Sequence, residues 1–121
     1  MSDFQNRYEQ LRARYTASLL QKLTEIETAW AALQKDPDTP AVRSELQRHV
    51  HRLSGSAAAY GFEQVGNLAR QVDTQLIKWA TAIVGPHATS PQDLIVVLQD
   101  DVAALRMELA AHIASAASSH H

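Results

Sequence analysis

Apolar residues recur every three to four positions along most of the chain, and that period decides the fold class. The series runs through Phe4, Tyr8, Leu11, Tyr15, Leu19, Leu23, Ile26, Trp30 and Leu33 before "KDPDTP" interrupts it. Such spacing lines one side of an α-helix. A strand would alternate at every second residue, and no alternating run between turn signals occurs. The class is all-α. One stripe over about thirty residues is long for a single helix, and helix propensity weakens from Thr16 to Ser18. A long or bent N-terminal helix is expected there.

Punctuation divides the rest. Thr39 can act as N-cap and Pro40 as the first residue of a second helix, where a missing N–H costs nothing. Val42, Leu46, Val50, Leu53 and Ala57 form its core face until Tyr60-Gly61, with Gly61 as the stop. A third helix from about Phe62 turns Val65, Leu68, Ala69, Val72, Leu76, Trp79 and Ile83 inward and ends at Gly85-Pro86. Ser90, Pro91 and Asp93 open a fourth, whose stripe is Leu94, Leu98, Val102, Leu105, Leu109 and Ile113. Four amphipathic helices on short connections pack most economically as an antiparallel up-down-up-down four-helix bundle. At 121 residues the chain is one domain, read as 1–117, and 118–121 is read as a tail or tag remnant.

Composition narrows the partners. A net charge of -2 lacks the basic excess of a nucleic-acid binder. No run approaches the ~18 apolar residues of a membrane span, and the N-terminal stretch lacks the pattern of a signal peptide. With no cysteine there is neither a disulfide framework nor a thiolate nucleophile. A soluble, cytoplasmic, monomeric protein is expected, with no metal held by its own residues.

The stretch "HRLSGSAAAYGF", His51 to Phe62, departs from ordinary amphipathic helix. At about 100° per residue His51 falls roughly 140° from the core direction and should stand in water, while His49, only about 60° away, sits at the core edge. Gln47, Arg48, Ser54, Gly55 and Ala58 share the outer face with His51. A glycine in an exposed helix interior costs about 0.5–1 kcal/mol relative to alanine, so Gly55 points to a use other than helix stability. Its missing Cβ opens a flat approach to the imidazole. An exposed imidazole keeps a ring nitrogen free as a nucleophile. No carboxylate at helical spacing orients it and no Ser-His-Asp pattern is visible, so it is suited to accept an already activated group rather than to hydrolyse one. An acyl phosphate is such a donor.

These residues resemble the histidine phosphotransfer (HPt) family, whose motif is His-x-Leu-Lys-Gly-Ser-Ser/Ala followed by a glycine that closes the helix. The matching positions are His51, Leu53, Gly55, Ser56, Ala57 and Gly61. The resemblance implies a four-helix bundle in which His51 takes phosphate from an aspartyl phosphate and passes it to another receiver aspartate. The partners implied are a response-regulator receiver domain and a hybrid sensor kinase, with Mg²⁺ on the receiver and no cofactor on this chain. It implies a phosphotransfer protein rather than an independent kinase or hydrolase. Gly55 would give steric room, and Leu53, Ser56 and Gly61 would hold the helix in place. The family's lysine three residues after the histidine is Ser54 here, so Arg48 or Arg52 is the expected source of positive charge, with the Ser54 hydroxyl as a donor. The alternative is a non-catalytic helical adaptor or degenerate HPt-like module that binds a receiver or dimerises through the same face without phosphotransfer.

Elsewhere the ordinary readings hold. His49, His87 and His112 are read as core edge, loop and helix surface, and His120 and His121 as tail. Trp30 and Trp79 are core anchors. Arg7, Arg12 and Arg14 with Glu9 form a solvated face, and Glu63 and Arg70 lie where they could touch a partner at the rim.

Overall fold

The computed structural model describes residues 3–82 and 90–118. Five helices occur among them: α1 (Asp3–Ala17), α2 (Leu19–Lys35), α3 (Pro40–Ala59), α4 (Glu63–Ala82) and α5 (Pro91–Ser118). There is no strand among the described residues. Contacts run from α2 to α3, α3 to α4, α4 to α5, and α5 back to α2, which closes a four-helix bundle. Ile83, Gly85, Pro86 and His87 lie outside the described residues, as do His120 and His121. α5 takes in Ser118, one residue past the boundary drawn from the sequence.

The bend in the long first stripe falls at Ser18. Its hydroxyl donates to the Tyr15 carbonyl at 2.6 Å and accepts from Lys22 Nζ at 2.8 Å. A serine bonding back to the preceding turn competes with the helical ladder and bends the helix. Below the bend the stripe is buried, with Leu19, Ile26, Trp30 and Leu33 in the core. Above it Tyr15 is buried, but Phe4 is 81% exposed, and Tyr8 and Leu11 are exposed too. α1 meets α5, α2 and the C-terminal end of α3 with the turn after it, so little is available to cover the rest of its stripe.

What α1 does cover is the end of α3. Tyr60, Gly61 and Phe62 form a Schellman stop, with the Phe62 N–H on the Ala57 carbonyl at 2.9 Å and the Gly61 N–H on the Ala58 carbonyl at 3.2 Å. Gly61 has φ +83°, which an L side chain resists. Tyr15 stacks on Tyr60 with ring centroids 4.7 Å apart, and Arg12 donates to the Tyr60 carbonyl at 2.9 Å while lying over the Phe62 ring. Arg12 is therefore not a plain member of a solvated face. It sits at a helix C-terminus, where a cation is favourable.

The starts of α3 and α5 follow their punctuation. Thr39 is the N-cap residue of α3 with Pro40 next, although its hydroxyl donates to Asp36 rather than capping the helix. At α5 the Asp93 carboxylate reaches back to the Ser90 N–H at 3.1 Å, half of a capping box.

The contact between α3 and α4 positions the site. A Cβ built on Gly66 of α4 would stand 3.2 Å from the Ser54 carbonyl oxygen and 3.6 Å from Ala58 Cβ. Only glycine lets the two backbones come so near without displacement.

Candidate functional site

His51 lies midway along α3, and its side chain is 72% exposed. Its Nδ1 is 2.9 Å from Oδ2 of Asp73 on α4, whose side chain is only 9% exposed. A carboxylate offers acceptors only, so Nδ1–H donates to it and Nε2 keeps its lone pair toward solvent. The other oxygen, Asp73 Oδ1, is buried and has no hydrogen-bond partner among the described residues. A buried carboxylate with a vacant oxygen is costly to maintain. Its one side-chain partner among the described residues is the exposed imidazole.

Asp73 is the residue that sequence reasoning missed, since it looked for an orienting carboxylate only at helical spacing along α3. The partner comes from the next helix, 22 positions away. A signal was present: Gly66 and Asp73 are seven apart, hence on one side of α4 two turns from each other, where a glycine marks close approach.

Gly55 has nothing within 4 Å of an ideal Cβ, so the helix surface one turn beyond His51 is open. Ala58 and Arg48 are exposed and Gln47 is half-buried. Ser54 corrects the sequence reading. It is buried, and its hydroxyl donates to the His51 carbonyl at 2.7 Å instead of pointing outward. The cause is Gly66, which brings α4 down over that position. Ser56 bonds to the Tyr15 hydroxyl at 2.6 Å and ties α3 to α1, and Leu53 is in the core.

The two arginines expected to supply charge are placed differently. Arg48 is paired with Glu45, which raises its pKa, and the Arg48 hydrogen bond holds the Glu45 carboxyl below the usual range. Arg52 lines a groove of about 460 Å³ on the α2 side of α3, with Tyr15, Lys22, Glu25, His49 and Ser56. His49 stands at the core edge as expected, 13% exposed, with Nδ1 3.3 Å from Glu25 and Nε2 3.1 Å from Glu45. His112 lies edge-on to Phe62 and within 3.1 Å of Glu108, a packing role. Among the described residues no group of three or more His, Cys, Asp or Glu could hold a metal ion.

The arrangement is one outward nucleophilic nitrogen, one buried carboxylate behind it, and a bare helix surface beside it. The family model described as Hpt domain matches residues 10–114. The chain belongs to the Hpt domain family. Hpt domains serve histidine phosphotransfer in two-component phosphorelays, in contact with receiver domains and kinases. No curated protein and no solved structure matches the chain. No helix among the described residues is long and apolar enough to cross a membrane.

Proposed function

We propose that this Hpt domain is a phosphorelay intermediate in the cytoplasm, acting as a monomer. His51 accepts a phosphoryl group from an aspartyl phosphate on a response-regulator receiver, or on the receiver part of a hybrid sensor kinase, and passes it to another receiver aspartate. The observation that carries this reading is the pairing of exposed His51 with buried Asp73.

The chemistry follows from that pair. The Nε2 lone pair attacks phosphorus, the N–P bond forms, and the P–O bond to the receiver carboxylate breaks, releasing that carboxylate. No proton has to move, because Nδ1–H stays on Asp73 Oδ2. The imidazole ring becomes cationic as the bond forms, and Asp73 opposes that charge from a fixed, water-poor position. Return transfer reverses the same steps. The receiver brings Mg²⁺ and most of the groups that stabilise the phosphoryl group in flight. Gln47, Gly55 and Ala58 frame the docking surface, with Arg48 at its edge.

This reading includes a bundle whose helices α2 to α5 alternate in direction. Gly66 meets Ser54 and Ala58 while Asp73, further along α4, meets His51, earlier in α3; that order supports opposed directions.

The test is incubation of the whole chain with receiver domains charged by radiolabelled acetyl phosphate. Acid-labile label is expected on the wild type and none on His51→Gln. Measurable receiver binding with no label on the wild type would assign the docking-only adaptor instead.

A further inference from the structure

A helix that receives a dianionic phosphoryl group without a nearby cation leaves the group's charge to solvent and partner alone. Ser54, where the family motif has lysine, is covered by α4 and bonded to the His51 carbonyl. Arg48 is held by Glu45, and Arg52 faces the α2–α3 groove.

We infer that Arg70 of α4 supplies the positive charge that contacts the phosphoryl group on His51, an assignment that rests on the reading of His51 as acceptor. Two contacts fix the register of α4 on α3: Gly66 against Ser54 and Ala58, and Asp73 against His51. Arg70 lies between them in sequence, four residues after Gly66 and three before Asp73. At 100° per residue it falls about 40° outward of Gly66 and about 60° outward of Asp73, on the shoulder of α4 that borders α3. His51 occupies the matching shoulder of α3, and along the helix Arg70 is about 4.5 Å, less than one turn, from the level of Asp73. Its side chain is exposed and, among the described residues, engaged in no ion pair or hydrogen bond. The α4 surface around it carries Gln64, Asn67, Gln71 and Thr74; Asp101 stands across on α5, and Asp73, three residues on, is turned to His51.

A guanidinium is permanently charged and presents a planar fork of donors matched to phosphoryl oxygens. Delivered from α4, it leaves the bare surface at Gly55 free for the receiver. The missing lysine is thus replaced from the neighbouring helix, as the orienting carboxylate is.

The experiment compares Arg70→Gln and Arg70→Lys with wild type in three measurements: receiver affinity, transfer rate at saturating phosphorylated receiver, and a ³¹P NMR pH titration of the chain phosphorylated by phosphoramidate. Arg70→Gln should bind receiver as wild type does yet transfer roughly ten- to hundredfold more slowly. Its phosphohistidine should titrate at higher pH than the wild type's, since a nearby cation favours the dianion. Arg70→Lys should recover part of both effects. Unchanged rate and titration in Arg70→Gln, or a loss confined to receiver affinity, overturns the role of Arg70 while the label on His51 persists. Absence of label from wild type overturns the reading of His51 instead.

Discussion

Two imidazoles stand two residues apart on α3 and meet opposite surroundings. His51 is exposed and has one buried carboxylate behind it, whereas His49 is nearly covered and lies between two carboxylates that are 40% and 50% exposed. The seam between α3 and α4 leaves a ring nitrogen free and places the fixed charge where water is scarce. The α2–α3 groove uses both nitrogens and leaves the charges in water, where they are screened. Under the proposed function, the difference lies in which nitrogen is occupied and how dry its partner is, not in the presence of an acid–imidazole pair.

The widest separation between the two regions should come from steric access. Gly55→Glu adds a charged side chain to the open surface beside His51, where nothing stands within 4 Å to oppose it. The helix should be retained by circular dichroism, and receiver-dependent labelling should fall by roughly a hundredfold or more, as in-line transfer tolerates little displacement. Labelling at the wild-type rate would mean that the receiver approaches from another side.

Charge removal comes next. Asp73→Asn keeps an acceptor for Nδ1–H but loses the negative charge, and should slow transfer by about tenfold; Asp73→Leu loses both and should slow it by about a hundredfold. Glu25→Gln, across the groove at His49, should change the rate by no more than about twofold. Equal effects from the two regions would erase the distinction between a working and a structural pair.

Much of this frame is legible in the sequence. Thr39-Pro40 and Ser90-Pro91 mark helix starts by local chemistry, and Gly61 marks a stop because it adopts positive φ. The core of α3 is legible for the same reason: Leu46, Val50, Leu53 and Ala57 repeat on one side. What stayed hidden depends on a second helix. The stripe of Phe4, Tyr8 and Leu11 says which side of α1 is apolar but not whether anything covers it. Ser54 sits on a flank that a helical wheel leaves in water, until Gly66 brings another backbone over it. Asp73 lies among core residues of α4 and acquires meaning only opposite His51.

Gly66 sharpens the comparison through geometry rather than charge. Gly66→Leu must push α4 away from the Ser54 carbonyl, and overpacking of this kind costs about 1–3 kcal/mol, against a gain of somewhat under 1 kcal/mol from leucine's better helix propensity. The urea midpoint should fall modestly. Transfer should fall with it, because the same displacement carries Asp73 away from His51. A destabilised variant with full transfer would show that the seam need not be close for the pair to work.

The smallest effect belongs to the groove. Burial raises the Tyr15 pKa above its ordinary 10.0, with its hydrogen bond to Ser56 acting in the opposite direction. A folded-state value above the unfolded one gives stability that is complete below about pH 10 and declines as pH rises through the folded value. Tyr15→Phe should cost about 1 kcal/mol at neutral pH by removing the partner of Ser56, and should flatten the alkaline decline in thermal stability. The transfer rate should be unchanged, since Tyr15 touches the side of α3 away from His51. If Tyr15→Phe slowed transfer, the groove and the seam would be coupled through α3, and the independence of its two sides would be lost.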